Sequence, residues 1–289
     1  MRALAPVAAM LAMAPRRVPS ATPTTPPVPQ GRGRVALLGG CAEPVLRPAY
    51  RAAATRLLAR AGYAAVAAPG EGCCGALVHH LGEEDAALAA ARRNVDAWTR
   101  EIDGGGLAAI LVTASGCGTT IKDYGHMLRA DPAYAAKAAR VSALARDICE
   151  FLGEVGLPAT GGDAAGLTVA YHAACSLQHG QRVVDTPRRL LAEAGFVVRT
   201  PAEAHLCCGS AGTYNILQPV IAGQLGDRKV AHLERTRPDV IATGNVGCAV
   251  QIGTRTAVPV VHTVELLDWA TGGPRPAALH TYPAGGDQG

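Results

Sequence analysis

The sequence predicts an α/β protein built from two duplicated β-α-β-α-β units, each with a parallel sheet. Three observations carry that expectation. Short apolar runs, the first ending in Gly39-Gly40, alternate with helical stripes along the chain. The second half replays the first: Leu57-Leu58-Ala59-Arg60-Ala61-Gly62-Tyr63 returns as Leu190-Leu191-Ala192-Glu193-Ala194-Gly195-Phe196, and Arg93-Asn94-Val95 as Arg228-Lys229-Val230. Eight of the nine cysteines also fall into two quartets of one grammar. A Cys-Cys-Gly triplet occurs at Cys73-Cys74-Gly75 and again at Cys207-Cys208-Gly209. In each copy another cysteine, Cys41 or Cys175, lies 32 residues before the pair, and a Gly-Cys follows at Cys117 or Cys248.

Taken in order, Met1 to Ala14 imitates a secretory signal, but Pro6 interrupts the apolar run and Pro15 follows the cleavage-like Ala12-Met13-Ala14. The run is also shorter than the roughly 20 residues a bilayer span needs. A short amphipathic helix remnant is the expectation, followed by a proline-rich extended linker over Pro19 to Pro29. Residues 1–33 therefore precede the folded part, with one unit over 34–160 and the second over 161–289. Arg34 to Gly40 reads as a buried strand ending at Cys41. Pro44 opens a helix with Leu46, Tyr50, Ala53 and Leu57 on its apolar face, stopped by Gly62.

Tyr63 to Ala68 is a second strand leading to Cys73-Cys74. Glu83-Glu84-Asp85 supplies negative charge to the first turn of the next helix. Leu88, Ala91, Val95, Trp98 and Ile102 form that helix's buried stripe. Leu107 to Thr113 is the third strand, with Cys117 beyond it, and helices over Thr119–Leu128 and Pro132–Leu152 close the unit. Cys149, outside both quartets, reads as a plain buried cysteine. Leu167 to Tyr171 and Pro238 to Thr243 repeat the first and third strands. Right-handed crossovers make each unit a Rossmann-like layered sheet, and every quartet cysteine then lies past the carboxyl end of a strand, where open α/β sheets place their sites.

The composition narrows the function. Net charge is +4, with no dense basic stripe carrying interleaved aromatics, so nucleic acid is not the expected partner. Nine cysteines in a chain too long to need disulfide staples point to liganded thiols in a reducing, cytoplasmic setting. Adjacent cysteines bridge each other poorly, because the small ring strains the disulfide. Four thiols from three loops suit a metal centre, so Cys41, Cys73, Cys74 and Cys117 form one candidate ligand set and Cys175, Cys207, Cys208 and Cys248 the other. Iron–sulfur clusters are held by such thiolates. Structural zinc is the rival occupant, although neither quartet has the paired Cys-x-x-Cys knuckles usual for zinc. Around the second quartet, His172 and His205 are candidate hydrogen-bond donors to the thiolates that would hold the metal group. No Ser-His-Asp arrangement, P-loop or dinucleotide fingerprint accompanies them, and no catalytic residue is assigned.

The repeated blocks resemble the cysteine-rich CCG repeats of heterodisulfide reductase-type iron–sulfur proteins. Longer strings, Gly72-Cys73-Cys74-Gly75-Ala76, Thr113 to Gly118, Ser176 to Gly180 and His205 to Tyr214, are similar to the iron–sulfur subunits of bacterial glycolate oxidases, over about Arg34 to Ala270. The resemblance implies an electron-transfer subunit of a glycolate or other 2-hydroxy-acid oxidase complex, not catalytic alone. It implies iron–sulfur clusters, of the 4Fe-4S kind, FAD flavoprotein partners and a membrane electron acceptor reached peripherally at the inner face of the cell membrane. The family also carries an N-terminal ferredoxin-like domain, for which no cysteine run precedes Cys41, so a ferredoxin-like domain or protein is an expected partner. Each downstream block has one cysteine where heterodisulfide reductases have Cys-x-x-Cys. Two other readings stay open: a thiol–disulfide redox protein with reactive cysteines of lowered pKa, and a zinc-stabilised assembly module that docks flavin subunits.

Overall fold

The computed structural model describes Leu11, residues 31–161 and residues 166–280; the expected helix remnant and linker lie almost wholly outside the described residues. Each half builds a four-stranded, all-parallel sheet. In the first, β1 (Gly33–Leu37), β2 (Tyr63–Val66), β3 (Ala109–Val112) and β4 (Ala145–Asp147) lie in the order β2-β1-β3-β4. In the second, β5 (Thr168–His172), β6 (Val197–Arg199), β7 (Val240–Thr243) and β8 (Val260–His262) take the matching order β6-β5-β7-β8. Register matches too: Val35 pairs with Ala65 and Ala109, and its counterpart Val169 with Val198 and Val240.

The longer helices are α1 (Pro48–Arg60), α2 (Glu84–Gly105), α3 (Ser115–Lys122), α4 (Ala135–Leu144), α5 (Ile148–Val155), α6 (Thr186–Glu193), α7 (Pro219–Glu234), α8 (Val246–Gly253) and α9 (Thr263–Ala270). Two expectations are corrected. The helix foreseen from Pro44 breaks at Arg47, whose φ is −151°, because the following Pro48 disfavours helical geometry in the residue before it. The single helix foreseen over Pro132–Leu152 divides into α4, β4 and α5. Asp147 is extended there and caps α5 in a reciprocal box with Glu150, while β4 pairs with β3. Each sheet therefore has a fourth strand.

Strand alternation decides how the halves join. Val35, Leu37, Ala109 and Leu111 share one apolar core with Val169, Tyr171, Val240 and Ala242. The intervening residues Ala36, Ile110 and Val112 face a separate outer core with α2 and α4, and Ala170 and Ile241 face another with α7 and α8. The inner core contains α1, α5, α6 and α9, exchanged between halves: α9 packs on α1 and α5 packs on α6. Arg56 Nε donates to Asp268 Oδ2 at 3.0 Å across this seam, and Arg60 pairs with the same buried carboxylate. No helix among the described residues is long and apolar enough to cross a membrane.

Candidate metal centres

The first centre is assembled from three loops at the carboxyl ends of β1, β2 and β3. Cys41 follows β1, Cys73 and Cys74 follow β2, and Cys117 is the third residue of α3, directly after β3. Their sulfurs converge as two close pairs, Cys41–Cys73 at 3.3 Å and Cys74–Cys117 at 3.1 Å, joined by contact between Cys73 and Cys74. The depth is graded: Cys41 is exposed and Cys74 buried.

A network fixes the loop that carries the pair. Glu71 accepts from Gly39 N and Trp98 Nε1, both at 2.9 Å. Asn94 accepts from Gly72 N at 2.8 Å and donates to the Cys73 carbonyl at 3.1 Å, while Tyr124 donates to the Cys74 carbonyl at 2.8 Å. Gly75 N points at Cys73 Sγ at 3.5 Å. That turn needs φ of +81°, and a Cβ there would stand 3.1 Å from Ala90 Cβ.

The second centre repeats the plan. Cys175 follows β5 and opens a π-helical turn over Ser176–Gly180, an irregularity that recurs at functional sites. Cys207 and Cys208 follow β6, and Cys248 is the third residue of α8. Asn245 caps that helix, its Oδ1 accepting from Gly247 N at 2.9 Å and Cys248 N at 3.3 Å. Cys207 lies against both Cys175 and Cys208, and Cys208 against Cys248. Gly209 N donates to Cys207 Sγ at 3.2 Å. Its φ is +90°, and a Cβ there would sit 2.4 Å from the Ala222 carbonyl oxygen.

The sulfur environments set the thiol acidities. Partial burial of its sulfur, with the Cys73 thiol beside it, pushes Cys41 up to about 11 even though the residue reaches the surface. Hydrogen bonding among the first-centre thiols, with burial, raises Cys73, and Cys74 reaches about 12. In the second centre the thiols of Cys175 and Cys208, with the Gly209 N–H, lower Cys207, while Cys175 and Cys208 are raised as its donors. The Cys208 thiol, helped by His172, likewise lowers Cys248.

The two candidate histidines part company. His172, the last residue of β5, is 1% exposed, and one of its ring nitrogens lies within 4.8 Å of both Cys208 Sγ and Cys248 Sγ. His205 is exposed, and its backbone carbonyl rather than its ring is engaged, by His179 Nε2 at 3.2 Å. Supporting residues not singled out from the sequence include Glu71, Asn94, Tyr124, Lys229 and Asn245. Lys229 is buried and donates to the Glu203 and Ala204 carbonyls at 2.8 and 3.4 Å. A signal existed for two of them, since Asn94 and Lys229 are polar residues at equivalent points in the apolar stripes of α2 and α7.

The centres flank one joint. Ser115 N donates to the Gly244 carbonyl at 3.1 Å, and Ser115 Oγ meets Asn245 Nδ2 at 3.1 Å and Ser176 Oγ at 2.7 Å. His262 Nδ1 accepts from Val264 N, so Nε2 carries the proton it donates to the Thr113 carbonyl at 2.8 Å.

Both ligand sets suit a thiophilic metal group. Each offers four sulfurs from separate loops, backbone N–H groups aimed at sulfur, and a helix N-terminus behind one cysteine.

Comparison with known proteins agrees with this geometry. The glycolate oxidase iron-sulfur subunit of Escherichia coli K12 is 41% identical over 258 residues, 88% of this chain, and the chain spans 62% of that relative's length. Lactate utilization protein A of Bacillus licheniformis is 28% identical over 81% of this chain and 99% of its own length. A hypothetical protein of known structure from Helicobacter pylori shares the fold, at TM-score 0.59 and 13% identity, over 95% of this chain and 55% of its own. The CCG cysteine-rich domain matches twice, over residues 35–122 and 169–253, one match on each sheet and its thiols. Two matched repeats, each ending its strands in the same cysteine blocks, make the chain a member of the CCG cysteine-rich domain family.

Proposed function

We propose that this chain is the cluster-binding part of an iron–sulfur subunit in a 2-hydroxy-acid oxidase complex. It would receive electrons from an FAD-containing partner and hand them on, through a ferredoxin-like domain or protein, towards a membrane acceptor. The observation that carries the reading is the gathering of eight thiols into two quartets at the carboxyl ends of two equivalent sheets. Cys41, Cys73, Cys74 and Cys117 would hold one 4Fe-4S group, and Cys175, Cys207, Cys208 and Cys248 the other. When bound, such a group supplies one-electron redox chemistry at a potential tuned by hydrogen bonds, charge and burial.

The chain's own residues would do the tuning. Gly75 N and Gly209 N donate to sulfur, and the inner cysteines are shut away from water while Cys41 reaches the surface. The named relatives, a glycolate oxidase subunit and a lactate utilization protein, support a small 2-hydroxy acid as the substrate class of the whole complex. The thiol–disulfide alternative is weaker at the first quartet, where Cys41, Cys73 and Cys74 are all pushed towards the unreactive thiol form.

Anaerobic purification followed by iron and acid-labile sulfide analysis tests the proposal. Iron and sulfide in near-equal amounts, with a paramagnetic signal on reduction, are expected. Stoichiometric zinc without sulfide would replace it with the zinc-stabilised module.

A further inference from the structure

The quartets are not chemically equal, because a fifth donor lies in the second. Three residues before Cys175 the chain places His172; three residues before Cys41 it places Leu38. Both positions are buried, His172 as the last residue of β5 and Leu38 one residue past β1. A neutral imidazole presents one nitrogen that must donate and one that must accept. Neither His172 nitrogen meets a partner at full hydrogen-bond geometry, although both are buried and the ring lies close enough to the Cys248 thiol to help lower it. Leaving such a group unsatisfied is destabilising, a cost that Leu38 avoids at the first centre. Around the imidazole, one ring nitrogen, Cys208 Sγ and Cys248 Sγ all lie within 4.8 Å of one another, and all three residues are buried. Imidazole and thiolate together form a good donor set for iron or zinc.

We propose that His172 is a direct ligand of the second centre, binding through a ring nitrogen beside Cys208 and Cys248. The first centre is ligated by sulfur alone, and the second by sulfur and nitrogen. This rests on the metal-centre reading above. A neutral imidazole brings no negative charge, so its ligation holds the second centre at the higher potential, as histidine does when it replaces cysteine in two-iron clusters.

The test uses the full chain, loaded anaerobically with iron and sulfide. Cys74→Ser removes the first centre's contribution, and the cells are fed 15N-histidine. Pulsed EPR of the reduced protein should show a strong nitrogen coupling that changes with the isotope. The coupling should vanish in His172→Leu, the residue type that the first repeat uses at this place. An EPR-visible second centre with only weak, isotope-insensitive nitrogen couplings would overturn the ligation while leaving the proposed function intact. The labelled, otherwise native second site answers even if the leucine variant fails to fold.

Absence of iron and sulfide would instead refute the proposed function, and Co2+ alone then becomes the probe. A thiolate-to-cobalt absorption band with an isotope-dependent, paramagnetically shifted imidazole resonance would uphold His172 as a ligand. Cobalt bound without that resonance, or no cobalt bound, would overturn it.

Discussion

Around Cys73 the buried polar supports, Asn94 and Tyr124, are neutral and hold the carbonyls of the cysteine pair, while the charged ones, Arg93 on the Cys73 carbonyl and Glu71 on Gly39 N, sit nearer solvent. Around Cys207 the equivalent helical position carries Lys229, which bonds the carbonyls of Glu203 and Ala204 just upstream. Burial lowers the Lys229 pKa, while the sulfurs of Cys175, Cys208 and Cys207 nearby act against that shift. With the histidine difference, one backbone frame thus surrounds its sulfurs with two electrostatic environments. The frame repeats because strand ends and glycine turns fix where the cysteines stand. The environments diverge because a side chain beside the thiols can change without disturbing that frame.

The comparison can be broken most directly by removing one cysteine. Cys208→Ser should lose about half the iron and sulfide and keep the first centre's signal, because each quartet belongs to its own sheet. Simultaneous loss of both signals would show that the sites depend on each other. Glycine substitutions come next. Gly209→Ala must fit a Cβ 2.4 Å from a backbone oxygen at φ of +90°, whereas Gly75→Ala, at φ of +81°, meets a methyl group at 3.1 Å and the Ala87 carbonyl oxygen at 3.3 Å. We expect about 3 kcal/mol of destabilisation at Gly209 and about 1–2 at Gly75, read by denaturant melts. Equal costs would mean that the two turns are not constrained differently.

A smaller effect should follow Lys229→Met, which removes a buried cation near the second thiols. Redox titration should find the second centre's potential lowered and the first unmoved; a shift in both, or in neither, would remove Lys229 from the comparison. Smallest is a contrast at the caps of the helices that cross the seam. Asp147 caps α5 and is raised to about 7 by burial, whereas His262 caps α9 and is lowered to about 4 by burial. The raised acid adds stability below its unfolded value near 4, and that contribution is lost as pH rises through 7. The lowered histidine adds stability above its unfolded value near 6.5, lost as pH falls through 4. Asp147→Asn should therefore flatten the fall in melting temperature between pH 5 and pH 8. An unchanged slope would show that Asp147 does not titrate in this range.

Much of this was legible before any coordinates. The short apolar runs located β1, β3, β5 and β7, and the cysteine spacing named which thiols would meet. The sequence was silent where three-residue strands are defined by their partners: Ala145-Arg146-Asp147 has no apolar pattern and becomes β4 only against β3. His172 was foreseen near the second quartet, but its depth and lack of a hydrogen bond at full geometry depend on packing from several elements. His205 sits closer to a cysteine in sequence yet faces solvent, because proximity along a loop does not fix which way a ring turns.

The exchanged helices have a further consequence for how metal and polypeptide depend on each other. Since one apolar interior is shared by both sheets, neither can come apart without exposing the lining of its neighbour. A ligand that holds either thiol nest together therefore raises the melting point of the entire molecule. Calorimetry should record a single endotherm that climbs with each equivalent of metal, so loading the first nest would protect the second while it is still empty.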